Sequence, residues 1–213
     1  MRKKGKVYIG TSGWSYKHWM ETFYPKEVKS QAFLEFYARL FKTVEINNSF
    51  YRLPELQTFN AWRESTPKDF LFSVKASRFI THMKKLNDSS DSLNILLKNA
   101  SFLEEKLGVI LFQLPPRWNF NEERIISFLK QLPTEFRYTF EFRTTSWYNE
   151  RLYEILNKYN VAFCIYEIDF HLSPIITTAD FVYVRLHGPN AKYTGSYSNE
   201  GFNVLGRKMQ SLE

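Results

Sequence analysis

Residues 33–46, FLEFYARLFKTVEI, place a helical pattern directly before a strand pattern. In the first part, apolar side chains recur at positions i, i+3, i+4, i+7 and i+8, which lie along one face of a helix. They are Phe33, Phe36, Tyr37, Leu40 and Phe41. The second part, Thr43–Ile46, is a short run of the kind that forms buried parallel strands. This stretch therefore predicts a helix followed at once by a strand of a parallel sheet.

The same alternation of strand and helix patterns runs along the whole chain. The predicted strands are Val7–Gly10, Thr43–Ile46, Leu71–Lys75, Val109–Gln113, Arg137–Glu141, Val161–Ile165 and Phe181–Leu186. Their spacing is about that of a strand–helix unit of ~30 residues. Further apolar stripes predict helices over Leu93–Leu107, Ile125–Leu132 and Leu152–Tyr159, with shorter helical material around Leu56–Arg63. The predicted N-caps are Ser92, Asn121 and Asn149, and the predicted stops are Gly108 and Pro133.

Strict alternation predicts a parallel sheet covered by helices, either as a closed barrel or as an open doubly wound sheet. The open sheet that binds dinucleotides needs a glycine-rich turn after its first strand. Here the turn is Gly10–Trp14, GTSGW, which lacks the third glycine and places a bulky Trp where close approach is needed. The predicted fold is therefore α/β, a single TIM-type (β/α) barrel domain over residues 1–213. Seven of the eight strand–helix units are present, because no convincing eighth strand follows Leu186.

Composition excludes several classes of protein. The chain has 213 residues, a formal net charge of +7 and 18% aromatic side chains, and its basic residues are spread out rather than gathered in an arm. The only cysteine, Cys164, excludes an intrachain disulfide and a cysteine metal cluster. The sequence has neither a run of 18 apolar residues nor the apolar core of a signal peptide. We therefore expect a cytoplasmic protein with no membrane span.

Ligand sites of such barrels lie where strands end and the following loops begin. At these points Glu45 and Glu141 are predicted to be a catalytic acid/base pair, and His187 is predicted to be a proton shuttle. The residues predicted to bind substrate are Trp14, Asn47, Lys75, Gln113, Arg143, Trp147, Arg185 and Tyr193. A charge inside an apolar run needs a partner. Alternatively, then, Glu45, Lys75, Glu141 and Arg185 pair with one another and only close the top of the barrel.

These residues predict an enzyme that acts on a small anionic or sugar-like, polyhydroxylated substrate by acid/base chemistry. No cofactor and no metal ligand is assigned, because the four histidines lack metal-binding spacing. A divalent cation held by Glu45, Glu141 and Asp169 is an alternative. A nucleic-acid-binding or nuclease-like barrel is the second choice, since the chain is basic and aromatic rings stack on bases. A non-catalytic ligand-binding barrel is the third.

Several blocks of the sequence resemble the YecE-like family, also called domain of unknown function number 72. The early blocks are GTSGWSY at 10–16, FYP at 23–25 and VEINNSFY at 44–51. The later blocks are FSVK at 72–75, QLPP at 113–116, EFR at 141–143, SW at 146–147 and YVRLHG at 183–188, followed by Tyr193, Gly195 and Tyr197. The resemblance runs from about Tyr8 to Glu200. It implies a TIM-barrel-like fold and no established activity.

The end of the chain departs from that resemblance. Members of the family usually continue past the Tyr-Gly-Tyr region into a helix and a last strand, whereas this chain turns at Gly201–Asn203 into a different end. We therefore expect a domain that is truncated or altered after about residue 200. Without an eighth strand, the first and seventh strands would have unpaired edges. That predicts either a homodimer formed through these edges or marginal stability.

Overall fold

A computed structural model of the chain describes residues 5–191, 193–200 and 206. The chain divides into two compact units, Met1–Leu111 and Phe112–Glu213. Each combines parallel strands with helices, so the predicted α/β class is confirmed. The prediction of a single domain over residues 1–213 stays a prediction. The predicted change after about residue 200 falls on residues 201–213, of which only Gly206 lies within the described residues.

The first unit is built on parallel strands in the order β1-β2-β3-β4. They are β1 Gly10–Thr11, β2 Thr43–Ile46, β3 Leu71–Lys75 and β4 Leu107–Gln113, the last of which runs on into the second unit. The helices are α1 Phe33–Leu40, α2 Leu56–Glu64 and α3 Ser90–Ala100. Short 3-10 helices cover Lys17–Trp19, Ser30–Ala32, Asn48–Phe50 and Ser101–Lys106, and Phe79–Met83 forms a π-helical turn. Because the strands run in one direction, their carboxyl ends share one edge of the sheet.

The second unit repeats this plan. Strands β5 Tyr138–Glu141, β6 Ala162–Ile168 and β8 Tyr183–Leu186 are parallel, and β7 His171–Leu172 turns back antiparallel to β6. Helices α4 Glu122–Leu129 and α5 Glu150–Lys158 precede β5 and β6, and a 3-10 turn covers Thr145–Trp147. The predicted N-caps of α4 and α5 are confirmed. Asn121 and Asn149 each accept a main-chain N–H through Oδ1, from Arg124 and Leu152 respectively, at 2.9 Å.

The predicted first strand is wrong. Pairing begins only at Gly10, opposite Thr43, and the segment before it is open to solvent, with Val7 83% and Ile9 71% exposed. A strand is buried only where other elements cover it, and an apolar run carries no information about that cover. The other predicted strands are confirmed: β2 and β3 residue for residue, and β4, β5, β6 and β8 with ends shifted by one to three residues.

The predicted helix over Leu93–Leu107 is too long. Helix α3 begins at Ser90 after its N-cap Ser89, so Ser92 is not the cap, and it ends at Ala100. A 3-10 helix, Ser101–Lys106, follows directly, and Glu104 within it has a non-helical φ of 49°. Gly108 lies in β4 and does not end a helix. Apolar spacing missed this change because i and i+3 contacts are common to both kinds of helix, so buried Leu103 continues the stripe.

Aromatic side chains fill much of the core, and each unit has its own pair of tryptophans. In the first unit the ring centroids of Trp14 and Trp62 lie 5.2 Å apart. In the second unit Trp118 and Trp147 are separated by the same 5.2 Å. Trp147 is fully buried and stacks on Phe142 with centroids 4.8 Å apart. Its indole N–H donates to the carbonyl oxygen of Trp118 at 2.6 Å, which satisfies the one polar group of the ring.

A two-residue turn links β6 to β7. Ile168 pairs with His171, and between them Asp169 and Phe170 have φ values of 49° and 60°. Positive φ at both central residues is the signature of a type I′ hairpin turn, which favours Asn, Asp and Gly. Phe170 is 78% exposed, so its ring gains little from packing while its backbone adopts a conformation that costs an L-residue about 1–2 kcal/mol.

We expect Phe170→Gly to raise the free energy of unfolding by about 0.5–1 kcal/mol, because glycine adopts positive φ without strain but loses more entropy on folding. Urea unfolding measures the change. Phe170→Ala is the matched control, since it removes the same ring and leaves the backbone strain in place. Equal gains in the two variants would assign the effect to loss of the exposed ring and contradict the turn argument.

Candidate functional site

The register of the second unit brings chemistry-bearing residues onto one face of its strands. Phe140 pairs with Phe163 between β5 and β6, and Tyr166 pairs with Arg185 between β6 and β8. Side chains alternate between the two faces along a strand, so Glu141, Tyr166, Arg185 and His187 share a face near the carboxyl ends. The predicted residues Glu141, Arg185 and His187 are therefore neighbours because of the register, although more than 40 residues of sequence separate Glu141 from the other two.

A carboxylate that contacts two guanidinium groups forms the centre of this cluster. Glu141 is fully buried; Nε of Arg143 donates to its Oε1, and Nη1 of Arg185 donates to its Oε2. The Arg185 side chain is 5% exposed and the Arg143 side chain 13%. We call Glu141, Arg143, Arg185 and His187 the arginine cluster.

Burial would raise the pKa of the Glu141 carboxyl, because the charged form loses its hydration. Arg185 and Arg143 outweigh that effect and hold the pKa below its usual range. Glu141 is thus an ionised acceptor whose two oxygens are both engaged. Such a group orients arginines well and donates a proton poorly. The predicted role of Glu141 as one half of an acid/base pair with Glu45 stays a prediction.

His187 is bound to the cluster through Arg143. Nη2 of Arg143 lies 3.3 Å from Nε2 of His187. A guanidinium group has donors and no acceptor, so Nε2 must accept and carries no proton in this contact. The Arg143 guanidinium also lies over the ring of Tyr166, 4.5 Å from its centroid. Arg143 therefore connects the carboxylate, the imidazole and an aromatic face.

Three residues that sequence reasoning missed extend the cluster toward solvent. The hydroxyl of Tyr148 lies 2.8 Å from that of Tyr166 and 3.2 Å from Nε2 of His171, and it donates to the carbonyl oxygen of Phe142 at 3.1 Å. The His171 ring is stacked on Tyr148 with an interplanar angle of 8°. Tyr166 follows Cys164 by two residues on β6 and so could have been placed by alternation. His171 could not, because the β6–β7 hairpin leaves no clear sequence signal.

The loop after β8 holds Tyr193 against His187. The main-chain N–H of Tyr193 donates to the carbonyl oxygen of His187 at 2.6 Å, and the two rings meet edge to face with centroids 5.5 Å apart. Gly188 makes this loop possible: its φ is 106°, and a Cβ there would lie 2.5 Å from the carbonyl oxygen of Thr194. Tyr193 itself has a φ of 62° and is 71% exposed. A predicted ligand-binding ring is thus held at the cluster at a cost in backbone strain.

The remaining predicted residues of the second unit lie differently. Gln113 ends β4 beside Leu114, whose N–H donates to the carbonyl oxygen of Glu141 at 2.9 Å, so it is close to the cluster along the backbone. Trp147 stacks on Phe142, which belongs to the opposite strand face from Glu141. Its burial among aromatic rings is that of a core residue, and its predicted role as a wall of a ligand site stays a prediction.

The first unit holds the other predicted residues. Glu45 on β2 is 6% exposed, and Lys75 ends β3 with its Nζ 4.4 Å from the centroid of the Phe50 ring. Asn47 follows β2, and its buried Oδ1 is without a hydrogen-bond partner in the described structure. Trp14 follows β1 and packs edge to face against Trp62. Sequence reasoning missed His82, whose ring lies 5.1 Å from Phe50 and whose pKa is lowered by burial and by Lys75 and Arg78.

Two kinds of feature are absent from the part of the chain that the structure describes. Nowhere in residues 5–191, 193–200 and 206 do three His, Cys, Asp or Glu side chains gather closely enough to hold a metal ion. In the same residues, no helix has both the length and the apolar character that crossing a membrane requires. The divalent cation suggested for Glu45, Glu141 and Asp169 stays a prediction.

Comparison with known protein families gives one match over most of the chain. The family described as "Protein of unknown function DUF72" matches residues 8–213. UPF0759 protein YecE of Escherichia coli K12 is 34% identical over 138 residues, which are 64% of this chain and 48% of that protein. UPF0759 protein YunF of Bacillus subtilis 168 is 30% identical over 156 residues, 70% of this chain and 54% of that protein. The chain thus spans about half the length of the curated relatives it matches.

Solved structures resemble this chain over a larger share of their length. The crystal structure of a DUF72 family protein from Thermotoga maritima MSB8 has a TM-score of 0.82 and 30% identity, covering 98% of this chain and 88% of that one. A DUF72 family protein from Enterococcus faecalis V583 has a TM-score of 0.73 at 18% identity, covering 85% and 82%. The second likeness concerns the fold alone.

Proposed function

The chain belongs to the DUF72 family, and we propose that its arginine cluster binds a small anionic ligand and transfers protons to or from it. The proposal takes the fold to be a TIM-type barrel, in which ligands are bound at the carboxyl ends of the parallel strands. The ligand class is a small carboxylate or phosphate compound, with or without sugar hydroxyls.

One observation carries the proposal: a fully buried carboxylate accepts from two guanidinium groups and holds them next to each other near the carboxyl ends of the strands. Arginine is suited to such a site because its planar donors match the oxygens of carboxylate and phosphate.

The division of roles follows from the contacts. Glu141 accepts from both arginines and acts as a positioning residue for Arg143 and Arg185. The two arginines bind the anion. His187 is the candidate for proton transfer because imidazole titrates near neutral pH and lies against Arg143. Tyr193, exposed and held against His187, supplies an aromatic surface at the mouth of the site.

Arg143→Gln tests the proposal and leaves the three residues that Arg143 contacts, Glu141, His187 and Tyr166, unchanged. We expect inorganic phosphate to bind the native chain in isothermal titration calorimetry at low ionic strength, and the variant to bind about 10- to 100-fold more weakly, because a charge-assisted hydrogen bond is lost.

The exposed Arg151, paired on the surface with Glu122 and Glu154, gives the matched control, and Arg151→Gln should leave the affinity unchanged. Equal weakening in both variants would point to non-specific attraction by the basic chain. Absence of phosphate and sulfate binding to the native chain would refute the proposed function.

A further inference from the structure

The Tyr166 ring lies against one face of the Arg143 guanidinium group. The guanidinium carbon is 4.5 Å from the ring centroid, within the ~6 Å over which a ring face attracts a cation. In the guanidinium plane, Nε donates to Glu141 and Nη2 lies 3.3 Å from Nε2 of His187. The remaining N–H groups of Arg143 have no hydrogen-bond partner among the residues that the structure describes. The direction in which they point therefore depends in part on how firmly the Tyr166 ring is held.

Tyr148 holds the Tyr166 ring through hydrogen bonds whose donors can be assigned. The Tyr148 hydroxyl has one proton, and the carbonyl oxygen of Phe142, at 3.1 Å, can only accept it. The Tyr148 oxygen must therefore accept in its other two contacts, from the Tyr166 hydroxyl at 2.8 Å and from Nε2 of His171 at 3.2 Å. Phe142 follows β5, Tyr166 lies on β6 and His171 lies on β7. One hydroxyl group thus connects three elements of the second unit.

Burial and ring contacts restrict the movement of both tyrosines. Tyr166 is 2% exposed, and Tyr148 is half-buried. The Tyr148 ring meets Phe163 edge to face with centroids 5.8 Å apart, and the His171 ring covers it at an interplanar angle of 8°. Burial also raises the pKa of both hydroxyls above the usual value, so both keep their protons at neutral pH. The hydrogen bond between them is therefore present under the conditions in which a ligand would bind.

We infer that Tyr148 is a positioning residue for Arg143: through the Tyr166 ring, it sets the plane of the guanidinium group and the direction of the N–H groups left for an anion. This inference rests on the proposed function and names a residue outside the arginine cluster on which the anion affinity depends. A donor that is already fixed binds more tightly than a mobile one, because less conformational freedom is lost on binding. Support of this kind by neighbouring hydrogen bonds is what keeps a binding group in its productive geometry.

Tyr148→Phe tests the inference, because it removes the hydroxyl and keeps the ring. Sulfate is the probe, since its charge does not change near neutral pH. In calorimetric titrations at low ionic strength, we expect the variant to bind sulfate about 3- to 10-fold more weakly than the native chain, the effect of losing roughly one neutral hydrogen bond. Tyr166→Phe removes the other hydroxyl of the pair and leaves the bond from Tyr148 to Phe142 in place. It should weaken sulfate binding to a similar extent.

Tyr153→Phe is the matched control. The Tyr153 ring also meets Phe163 edge to face, with centroids 5.7 Å apart. Its hydroxyl makes no hydrogen bond within the described part of the chain, so this variant should bind sulfate as the native chain does. Equal weakening in Tyr148→Phe and Tyr153→Phe would overturn the inference, because the loss would then not come from the hydroxyl network. Native affinity in Tyr148→Phe would also overturn it and would leave the proposed function intact.

The NMR signal of the Arg143 Nε–H group gives a readout that a general loss of stability would not move. It is the arginine signal that disappears in Arg143→Gln. Without ligand, we expect the native signal to be protected from exchange by Glu141 and shifted by the ring current of Tyr166. In Tyr148→Phe it should lose part of that shift and broaden, whereas in Tyr153→Phe it should stay in place.

The NMR measurement separates the inference from the function on which it rests. An unchanged Arg143 signal in Tyr148→Phe would overturn the inference, whether or not sulfate binds. If the native chain bound no sulfate, the proposed function would fail, and the Arg143 signal would still decide whether Tyr148 positions this side chain.

Discussion

Glu141→Gln is expected to lower the free energy of unfolding by about 3–5 kcal/mol, because removing one partner of a buried ion pair leaves the other charge uncompensated. Here the effect falls on two groups at once, since Arg143 and Arg185 both donate to this carboxylate. Glutamine keeps one acceptor oxygen, but its amide N–H groups would face a guanidinium that also only donates. Chemical denaturation with urea, followed by circular dichroism, measures the loss.

Glu122→Gln is the matched control for this variant. Glu122 also accepts from an arginine, Arg151, but both side chains are well exposed, and pairs of that kind contribute little. We expect no measurable shift of its unfolding midpoint. A comparable loss in both variants would mean that general charge balance, and not the buried contact, is responsible.

Glu141→Gln should also change how the free energy of unfolding depends on pH. The pKa of Glu141 is below its ordinary value in the folded chain, against an opposing effect of burial, because of Arg185 and Arg143. Its contribution is therefore fully present above the unfolded value of about 4.3 and is lost as the pH falls toward the folded value. Glu141→Gln lacks this group, so its stability should fall less than that of the native chain between about pH 5 and pH 3. Parallel acid-side curves would contradict the assignment.

Trp147→Ala is expected to lower the free energy of unfolding by about 3–5 kcal/mol, since a cavity replaces the whole of a buried aromatic ring. The ring stacks on Phe142, meets Trp118 and Phe120 edge to face and donates its N–H to a main-chain carbonyl, so little of the surrounding structure can collapse into the space. Trp147→Phe keeps most of the packing and loses the hydrogen bond, and we expect its free energy of unfolding to be lower by about 1–2 kcal/mol. Urea unfolding of both variants separates packing from hydrogen bonding.

This pair of variants also decides between a core ring and a ligand wall. If Trp147 is core, Trp147→Phe binds sulfate as the native chain does. Tyr193→Leu is the comparison, because Tyr193 is exposed and its ring contacts that of His187. We expect this variant to keep nearly the native free energy of unfolding and to bind sulfate more weakly. If Trp147→Phe bound sulfate more weakly and Tyr193→Leu did not, Trp147 would be a ligand-binding residue, as the sequence predicts.

Much of the fold could be predicted because its elements carry local signals. The stripe of α1 and the apolar run of β2 alone identify a helix–strand unit, and Asn121 and Asn149 cap their helices through contacts three residues away. The failures concern properties that depend on distant partners. Val7–Ile9 has the composition of a strand, yet nothing in the segment says whether another element covers it. Phe170 in a type I′ turn contradicts the usual residue preference, so the β6–β7 hairpin had no signature.

The candidate site could be predicted in part for the same reason. Charges inside apolar runs marked Glu141 and Arg185, and the register of three parallel strands then brings them together. Their division of roles could not be read from residue types. A carboxylate next to a strand end suggests an acid or a base, and only the two guanidinium contacts show that its oxygens are already engaged. Tyr148 and His171 were missed because a phenol and an exposed imidazole become notable only through their shared hydrogen bond.

The two tryptophan pairs give the chain built-in optical reporters. Trp14 and Trp62 lie in one unit, Trp118 and Trp147 in the other, and Trp19 is the fifth. Indole emission shifts to longer wavelength when water reaches the ring, so each pair reports on the unit that contains it. A chain that keeps only Trp118 and Trp147, with phenylalanine at the other three positions, would emit from the second unit alone. Comparing its fluorescence with the circular dichroism of the whole chain during unfolding reveals whether the two units melt as one cooperative block or in succession.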